Sequence, residues 1–156
     1  MKVLLVNGSP HKEGCTYTAL CEVSKALNEN GVDTDIFWIE NKPLSGCIAC
    51  KKCKDNNRCV FNDSVNEFLD IAGDYDGFIF GSPVHWGGAC GTITSFMDRV
   101  FYADLNGKGG RFRLKPAAAV ISWHHHFRKL KSRIAVHAAE APPCRTDKGD
   151  LPYDHR

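Results

Sequence analysis

Four cysteines, Cys47, Cys50, Cys53 and Cys59, stand at C-x2-C-x2-C-x5-C spacing in this 156-residue chain. Three thiols at every third position cannot all point one way from a regular helix. A loop wrapped around a compact cluster can use each of them, as iron-sulfur proteins with a C-x2-C-x2-C run do. Structural zinc ordinarily takes two separated C-x2-C knuckles, so zinc is the alternative occupant. Lys51, Lys52, Lys54 and Arg58 lie among the thiols. They can offset the charge of metal-bound thiolates, and they serve equally well as a solvated loop surface. Cys15, Cys21, Cys90 and Cys144 share no spacing; Cys21 and Cys90 fall in or beside predicted helices and read as small core residues.

Two further stretches carry ligand chemistry. GSPHKEGCTYT, residues 8–18, is rich in Gly, Ser and Thr and leads into a predicted helix. Unpaired backbone N–H groups and the positive end of the helix dipole suit a phosphate there, with Ser9, Thr16 and Thr18 adding hydroxyl donors. No Gly-Lys-Ser/Thr follows and the pattern is not GxGxxG, which counts against ATP and against a dinucleotide held in the Rossmann manner. The alternative is a plain turn in which Ser9 and Thr16 cap the helix. GSPVHWGGACG, residues 81–91, supplies a proline, two ring side chains and several glycines. Glycine admits a flat ligand close to the backbone, and His85 and Trp86 can lie against it or close its edge. Taken alone, Trp86 serves equally as a core anchor and His85 as a surface residue.

The elements that must position these loops alternate. Residues 2–6 read as a buried parallel strand. A helix follows, with Ala19, Leu20, Val23, Ala26 and Leu27 on one face and Gly31 at its C-terminal cap. Residues 33–39 form a second strand, and 43–61 a cysteine-rich loop without helical or strand period. Ser64 and Glu67 make a capping-box pattern that opens a helix running to about residue 73. Residues 77–81 are a third strand, 92–102 a third helix and 117–122 a fourth strand. This alternation with short connections predicts right-handed βαβ units in one parallel sheet. Ligands in such sheets sit beyond the carboxyl ends of the strands at the point where strand order reverses. In a flavodoxin-like order the first and third strands, each followed by Gly-Ser-Pro, flank that point.

The chain is long enough for one domain and needs no second. Its net charge is only +2, which argues against an electrostatic nucleic-acid binder. Residues 1–122 carry 13 Lys/Arg against 14 Asp/Glu and residues 123–156 carry 7 against 4, so the tail supplies the positive excess. The opening MKVLLVNG falls short of a signal peptide, and no apolar run is long enough to span a bilayer. The expectation is a cytoplasmic protein that does not engage membranes, in which eight cysteines are metal ligands or free thiols rather than disulfides.

GSPHKEGCTYTAL, GCIACKKC with the trailing Cys59, DYDGFIFGSPVHWGG and the Asp98-Arg99 pair resemble, in order, the hallmarks of iron-sulfur flavoproteins in the NADPH-dependent FMN reductase family. The resemblance covers residues 1–122. It implies a flavodoxin-like three-layer α/β fold with strand order 2-1-3-4, the fifth strand missing or degraded. It implies that Ser9, Cys15, Thr16, Tyr17 and Thr18 hold the FMN phosphate, that Ser82, Pro83, Val84, His85, Trp86 and Gly87 line the isoalloxazine and ribityl side, and that Cys47, Cys50, Cys53 and Cys59 bind a 4Fe-4S cluster. The chain departs from the family pattern at His85 and Trp86, where Tyr-Phe or Tyr-Trp is common, and at Cys15, where Asn is common.

Residues 1–122 are thus expected to be an FMN-binding domain and 123–156 an atypical basic tail. The family places a Gly- and Thr-rich loop, a helix and a fifth strand there, whereas this chain has His124, His125, His126, Phe127, Arg128 and Lys129. A one-base shift could read that run as Thr-Thr-Thr-Phe-Glu-Asn, so the tail reads as frameshifted; residues 133–138 are its best strand candidate, and a metal site at the three histidines is the competing reading. By resemblance the chemistry is carried by FMN with no catalytic side chain, electrons pass between NAD(P)H or a ferredoxin-type carrier, FMN and the cluster, and the chain forms a homo-oligomer. The alternatives are a non-enzymatic flavodoxin-like electron carrier and an FMN or quinone reductase whose cysteine loop holds zinc or nothing.

Overall fold

The computed structural model describes residues 1–123. Its strands are β1 (Lys2–Asn7), β2 (Asp33–Trp38), β3 (Gly77–Pro83) and β4 (Ala117–Ser122). They are all parallel and ordered β2-β1-β3-β4, as expected. The readings of the fifth strand, the histidine run and Cys144 lie outside the described residues.

Alternation along β1 sends successive side chains to opposite faces of the sheet, and both faces are buried. Val3 and Leu5 pack with Leu20 of α1 (Cys15–Glu29), flanked by Val23 and Leu27. Leu4 and Val6 join the opposite cluster with Phe68 of α3 (Ser64–Ile71) and Phe96 and Val100 of α4 (Gly91–Asn106). The Phe68 and Phe96 rings meet edge to face at 5.1 Å, the geometry that aromatic quadrupoles favour. Three layers result, with α1 on one side of the sheet and α3 and α4 on the other.

Helix ends show where local chemistry decides. At the end of α1, Val32 N donates to Leu27 O at 3.0 Å and Gly31 N to Asn28 O at 3.0 Å, a Schellman closure with Gly31 at φ 77°. The start of α3 differs from expectation: Asp63, not Ser64, is the N-cap, and its side chain accepts from Val65 N. Glu67 therefore has no capping box to complete. The helix ends at Ile71, followed by a 3-10 turn over Ala72–Asp74. The cysteine loop contains one short turn not expected from its sequence, α2 (Cys53–Asn56). No helix among the described residues is long and apolar enough to cross a membrane.

Candidate functional site

Parallel pairing of β1 with β3 brings the two Gly-Ser-Pro segments side by side at the carboxyl edge of the sheet. Gly8 N donates to Gly81 O at 2.9 Å, and the Cys90 thiol donates to Gly8 O at 3.2 Å. A β-carbon on Gly8 would stand 2.8 Å from Ile93 Cβ and 2.9 Å from Gly81 O. The glycine is there for close packing of one loop on the other and on α4. Asn7, fully buried, organises the first loop: its Oδ1 accepts from Ser9 N at 3.0 Å and its Nδ2 donates to Lys12 O at 3.1 Å. Trp38 Nε1 donates to Ser9 O at 2.9 Å, tying the loop to β2 as well.

The residues expected to hold a phosphate sit at different depths. Ser9 and Thr16 are buried, Tyr17 is half-buried, and Cys15 and Thr18 are exposed. Gly14 is the N-cap of α1 and makes no side-chain cap, so Ser9 and Thr16 are not capping residues and that alternative fails. No acidic residue occupies the first turn itself, the nearest carboxylate being Glu13 just before the N-cap, so the backbone N–H groups at the positive end of the helix dipole are not capped by a side chain there. Ser9 Oγ accepts from His11 N, and Thr16 Oγ1 lies 2.8 Å from Ser122 Oγ at the end of β4. One hydroxyl of that pair donates to the other, so a second hydroxyl proton is left to point elsewhere. The hydrogen bond with Cys21 is the main cause holding the Tyr17 phenol above its usual range.

On the other side of the same edge, Ser82 is buried and its Oγ accepts from Cys90 N at 3.0 Å. Pro83 and Val84 are half-buried; His85, Trp86 and Gly87 are exposed. Trp86 is 83% exposed, which removes the reading of it as a core anchor. Cys90 is buried, as expected of a small core residue, and its thiol also joins the two loops.

The cysteine loop reaches a second site beside α4. Cys47, Cys50, Cys53 and Cys59 line one pocket, together with Arg99, Tyr102 and Ala103 of α4. Ala49 and Lys51, on either side of Cys50, take left-handed φ values of 53° and 61°, and Asn57 takes 58°. These reversals let thiols at every third position face a common space, at a backbone cost of about 1–2 kcal/mol for each non-glycine residue. Cys47 and Cys50 are exposed, Cys59 is half-buried and Cys53 is buried. Burial pushes the Cys53 thiol up, and the neighbouring Cys50, Cys47 and Cys59 add to the shift. Among the described residues no group of three or more His, Cys, Asp or Glu side chains is gathered as on one metal ion. The four thiols border one space without converging on a point.

Cys59 is the most firmly held of the four. The buried Asn66 accepts from Cys59 N at 2.8 Å and donates to Cys59 O at 3.0 Å and Phe61 O at 2.8 Å. Arg99 Nε donates to Cys59 Sγ at 3.2 Å while its two terminal nitrogens grip Asp63 at 2.7 and 2.8 Å. Burial works against the Arg99 charge, and the bonds to Asp63 and Cys59 outweigh it, leaving the guanidinium more firmly protonated than usual. Arg58, expected among the thiols, is paired with Asp70 instead. Among the described residues the cation bonded to one of these thiols is Arg99, which the sequence offers as half of the Asp98-Arg99 hallmark but to which it assigns no part in the cysteine site. Asp63 and Ser122 were also missed, because they act across 36 and 106 positions, separations that motif spacing does not record; Asn7 and Asn66 act within a few residues, but a single asparagine carries no motif of its own.

Residues 1–140 match the family model described as NADPH-dependent FMN reductase. An iron-sulfur flavoprotein of Methanocaldococcus jannaschii is 38% identical over 99 residues, covering 64% of this chain and 51% of the relative. An iron-sulfur flavoprotein of Methanosarcina thermophila is 33% identical over 102 residues, covering 64% and 52%. The chain thus spans about half the length of these curated relatives. Among solved structures, the NAD(P)H:quinone oxidoreductase from Methanothermobacter marburgensis superimposes with a TM-score of 0.61 at 17% identity, covering 79% of this chain and 65% of that one, a likeness of fold. With a four-stranded parallel sheet in the order β2-β1-β3-β4, paired Gly-Ser-Pro loops at its carboxyl edge and a family match over most of its length, the chain belongs to the NADPH-dependent FMN reductase family.

Proposed function

We propose that this chain is an FMN-dependent oxidoreductase that passes electrons between a reduced donor, NAD(P)H or a ferredoxin-type carrier, and an iron-sulfur cluster. The observation that carries the reading is the joining of the loops after β1 and β3 at the strand-order reversal, where α/β sheets bind their ligands. Ser9, Cys15, Thr16, Tyr17 and Thr18 form the phosphate side of the site, with the uncapped N-terminus of α1 supplying backbone donors. Ser82, Pro83, Val84, His85, Trp86 and Gly87 form the ring side. Bound FMN supplies hydride and one-electron chemistry. The chain's own residues orient it: the Gly8–Gly81 and Cys90–Gly8 bonds keep the two sides at fixed separation, and exposed Trp86 and His85 can close over a flat ring.

For the cluster, Cys47, Cys50, Cys53 and Cys59 are the ligands. A single zinc ion draws its thiolates to about 2.3 Å from one point. A cluster takes each thiolate on a different iron, and the C-x2-C-x2-C run with Cys59 places four thiols around one pocket on a single loop, rather than on two separated knuckles. Exposed Lys51, Lys52 and Lys54 place positive charge around that anionic assembly.

One absorption spectrum of anaerobically purified protein, with iron, zinc and acid-labile sulfide assayed on the same sample, tests both cofactors. Flavin bands with a broad shoulder and matched iron and sulfide are expected. Failure to bind added FMN overturns the flavin reading, and zinc without sulfide overturns the cluster. Steady-state NAD(P)H oxidation with added acceptors then separates an enzyme from a passive carrier.

A further inference from the structure

We infer that Arg99 is a positioning residue of the cysteine site, which fixes Cys59 through an N–H···S bond and raises the reduction potential of the cluster held there. This rests on the proposed reading of the four cysteines as iron-sulfur ligands.

Arg99 is 1% exposed and the largest of the fully buried side chains. Burying a guanidinium costs several kcal/mol unless its donors are satisfied. Asp63 satisfies one edge with two short bonds, and Nη1 also lies 3.4 Å from Ser45 O. The Phe61 ring stacks 4.9 Å from the guanidinium carbon. The remaining Nε–H is aimed at Cys59 Sγ at 3.2 Å. Because the guanidinium is planar and its donors are fixed relative to one another, gripping Asp63 also fixes the direction of the Nε–H. The sulfur position is thereby set by a side chain 40 residues away on α4. Asn66 sets the backbone of the same cysteine. Cys59 is thus held in place by its own protein partners, whereas Cys47 and Cys50 stand exposed on the loop.

An ion pair required only for packing would be complete with Asp63. The third contact, to a ligand sulfur, is what gives Arg99 a redox consequence. Hydrogen bonds to the sulfurs and local charge are among the determinants of cluster potential. One-electron reduction makes the cluster more negative, with no bond formed or broken. A positive N–H donor therefore stabilises the reduced form more than the oxidised one.

The test uses the full chain, reconstituted anaerobically with iron and sulfide, and a potentiometric titration with dithionite followed by visible absorbance and electron paramagnetic resonance. Arg99→Lys keeps a cation opposite Asp63 but cannot also reach Cys59 through an Nε–H. Its midpoint should fall by about 59 mV, a roughly tenfold weaker hold on the electron for a one-electron couple, with iron and sulfide content retained. Arg99→Met with Asp63→Asn removes both charges together and should shift the midpoint the same way; it provides the answer if the lysine variant fails to fold. Near-ultraviolet circular dichroism monitors the fold in each case. A folded, cluster-bearing variant with the wild-type midpoint overturns the role of Arg99. A wild-type chain that takes up no iron and sulfide overturns the cluster reading instead, so the two failures are distinguishable.

Discussion

The two candidate sites are built by different means. At the carboxyl edge of the sheet, the loops after β1 and β3 are continuations of adjacent hydrogen-bonded strands, and Gly8 extends the β1–β3 ladder by one more backbone bond to Gly81. Beside α4, the cysteine loop has no ladder to continue; side chains of Asn66, Asp63 and Arg99 hold it. A site that inherits its geometry from the sheet is fixed once the sheet forms. One hung from three polar side chains depends on each of them, and so the two should fail separately when perturbed.

The sharpest break is Cys50→Ser. It should abolish iron and sulfide binding and leave FMN binding intact, as read by metal analysis and flavin titration. Full metal content in that variant would mean that the ligand set is wrong. The converse break is Ser9→Ala with Thr16→Ala, which removes hydroxyl donors from the phosphate side. FMN should bind about 3 kcal/mol more weakly, roughly a hundredfold, while metal content stays unchanged. Equal FMN affinity in equilibrium titrations would remove both residues from the site.

Asn66→Ala addresses what holds the cysteine loop. It strands the Cys59 amide and the Cys59 and Phe61 carbonyls, and should cost about 2–3 kcal/mol in denaturant unfolding of the metal-free chain. FMN affinity should be unaffected at temperatures where the variant stays folded.

The smallest effect concerns neither site and tests whether they share one fold. Lys2 Nζ lies 2.7 Å from Asp35 and the Tyr75 hydroxyl donates to Asp35 at 2.7 Å. These bonds, that of Lys2 first, hold the Asp35 carboxyl below its usual range. A carboxylate whose folded pKa is depressed contributes stability above its unfolded value, near 3.9, and loses it as pH falls through the folded value. Acid unfolding should therefore shift to higher pH in Asp35→Asn, with flavin and metal signals lost together. Two separated acid transitions would show that the sites sit on independently folding parts.

Strand order and the pairing of the Gly-Ser-Pro loops were legible because apolar runs and turn residues are local signals, and parallel topology leaves few ways to connect them. The start of α3 was not legible to one residue. Asp63 and Ser64 are both good caps, and Glu67 three residues after Ser64 favours the latter. The structure resolves this by giving Asp63 a second partner in Arg99. A four-residue turn such as α2 is too short to show a period. The four cysteines announced themselves by spacing, whereas Arg99 reaches Cys59 across 40 positions and Asn66 reads in sequence as an ordinary polar residue of a helix.

Asp63 caps α3 through Val65 N and pairs with the arginine that touches Cys59. Asp63 is common to both ends of this chain of contacts, and whatever coupling it carries from the thiol end to the helix end acts equally in the reverse direction. The Val65 amide is therefore a remote gauge of cysteine-site loading. Its hydrogen-exchange protection should rise when the cluster is assembled by more than that of an amide in the middle of β1, such as that of Leu5, which reads only the global stabilisation by the bound cluster, and this excess should be lost in Asp63→Asn.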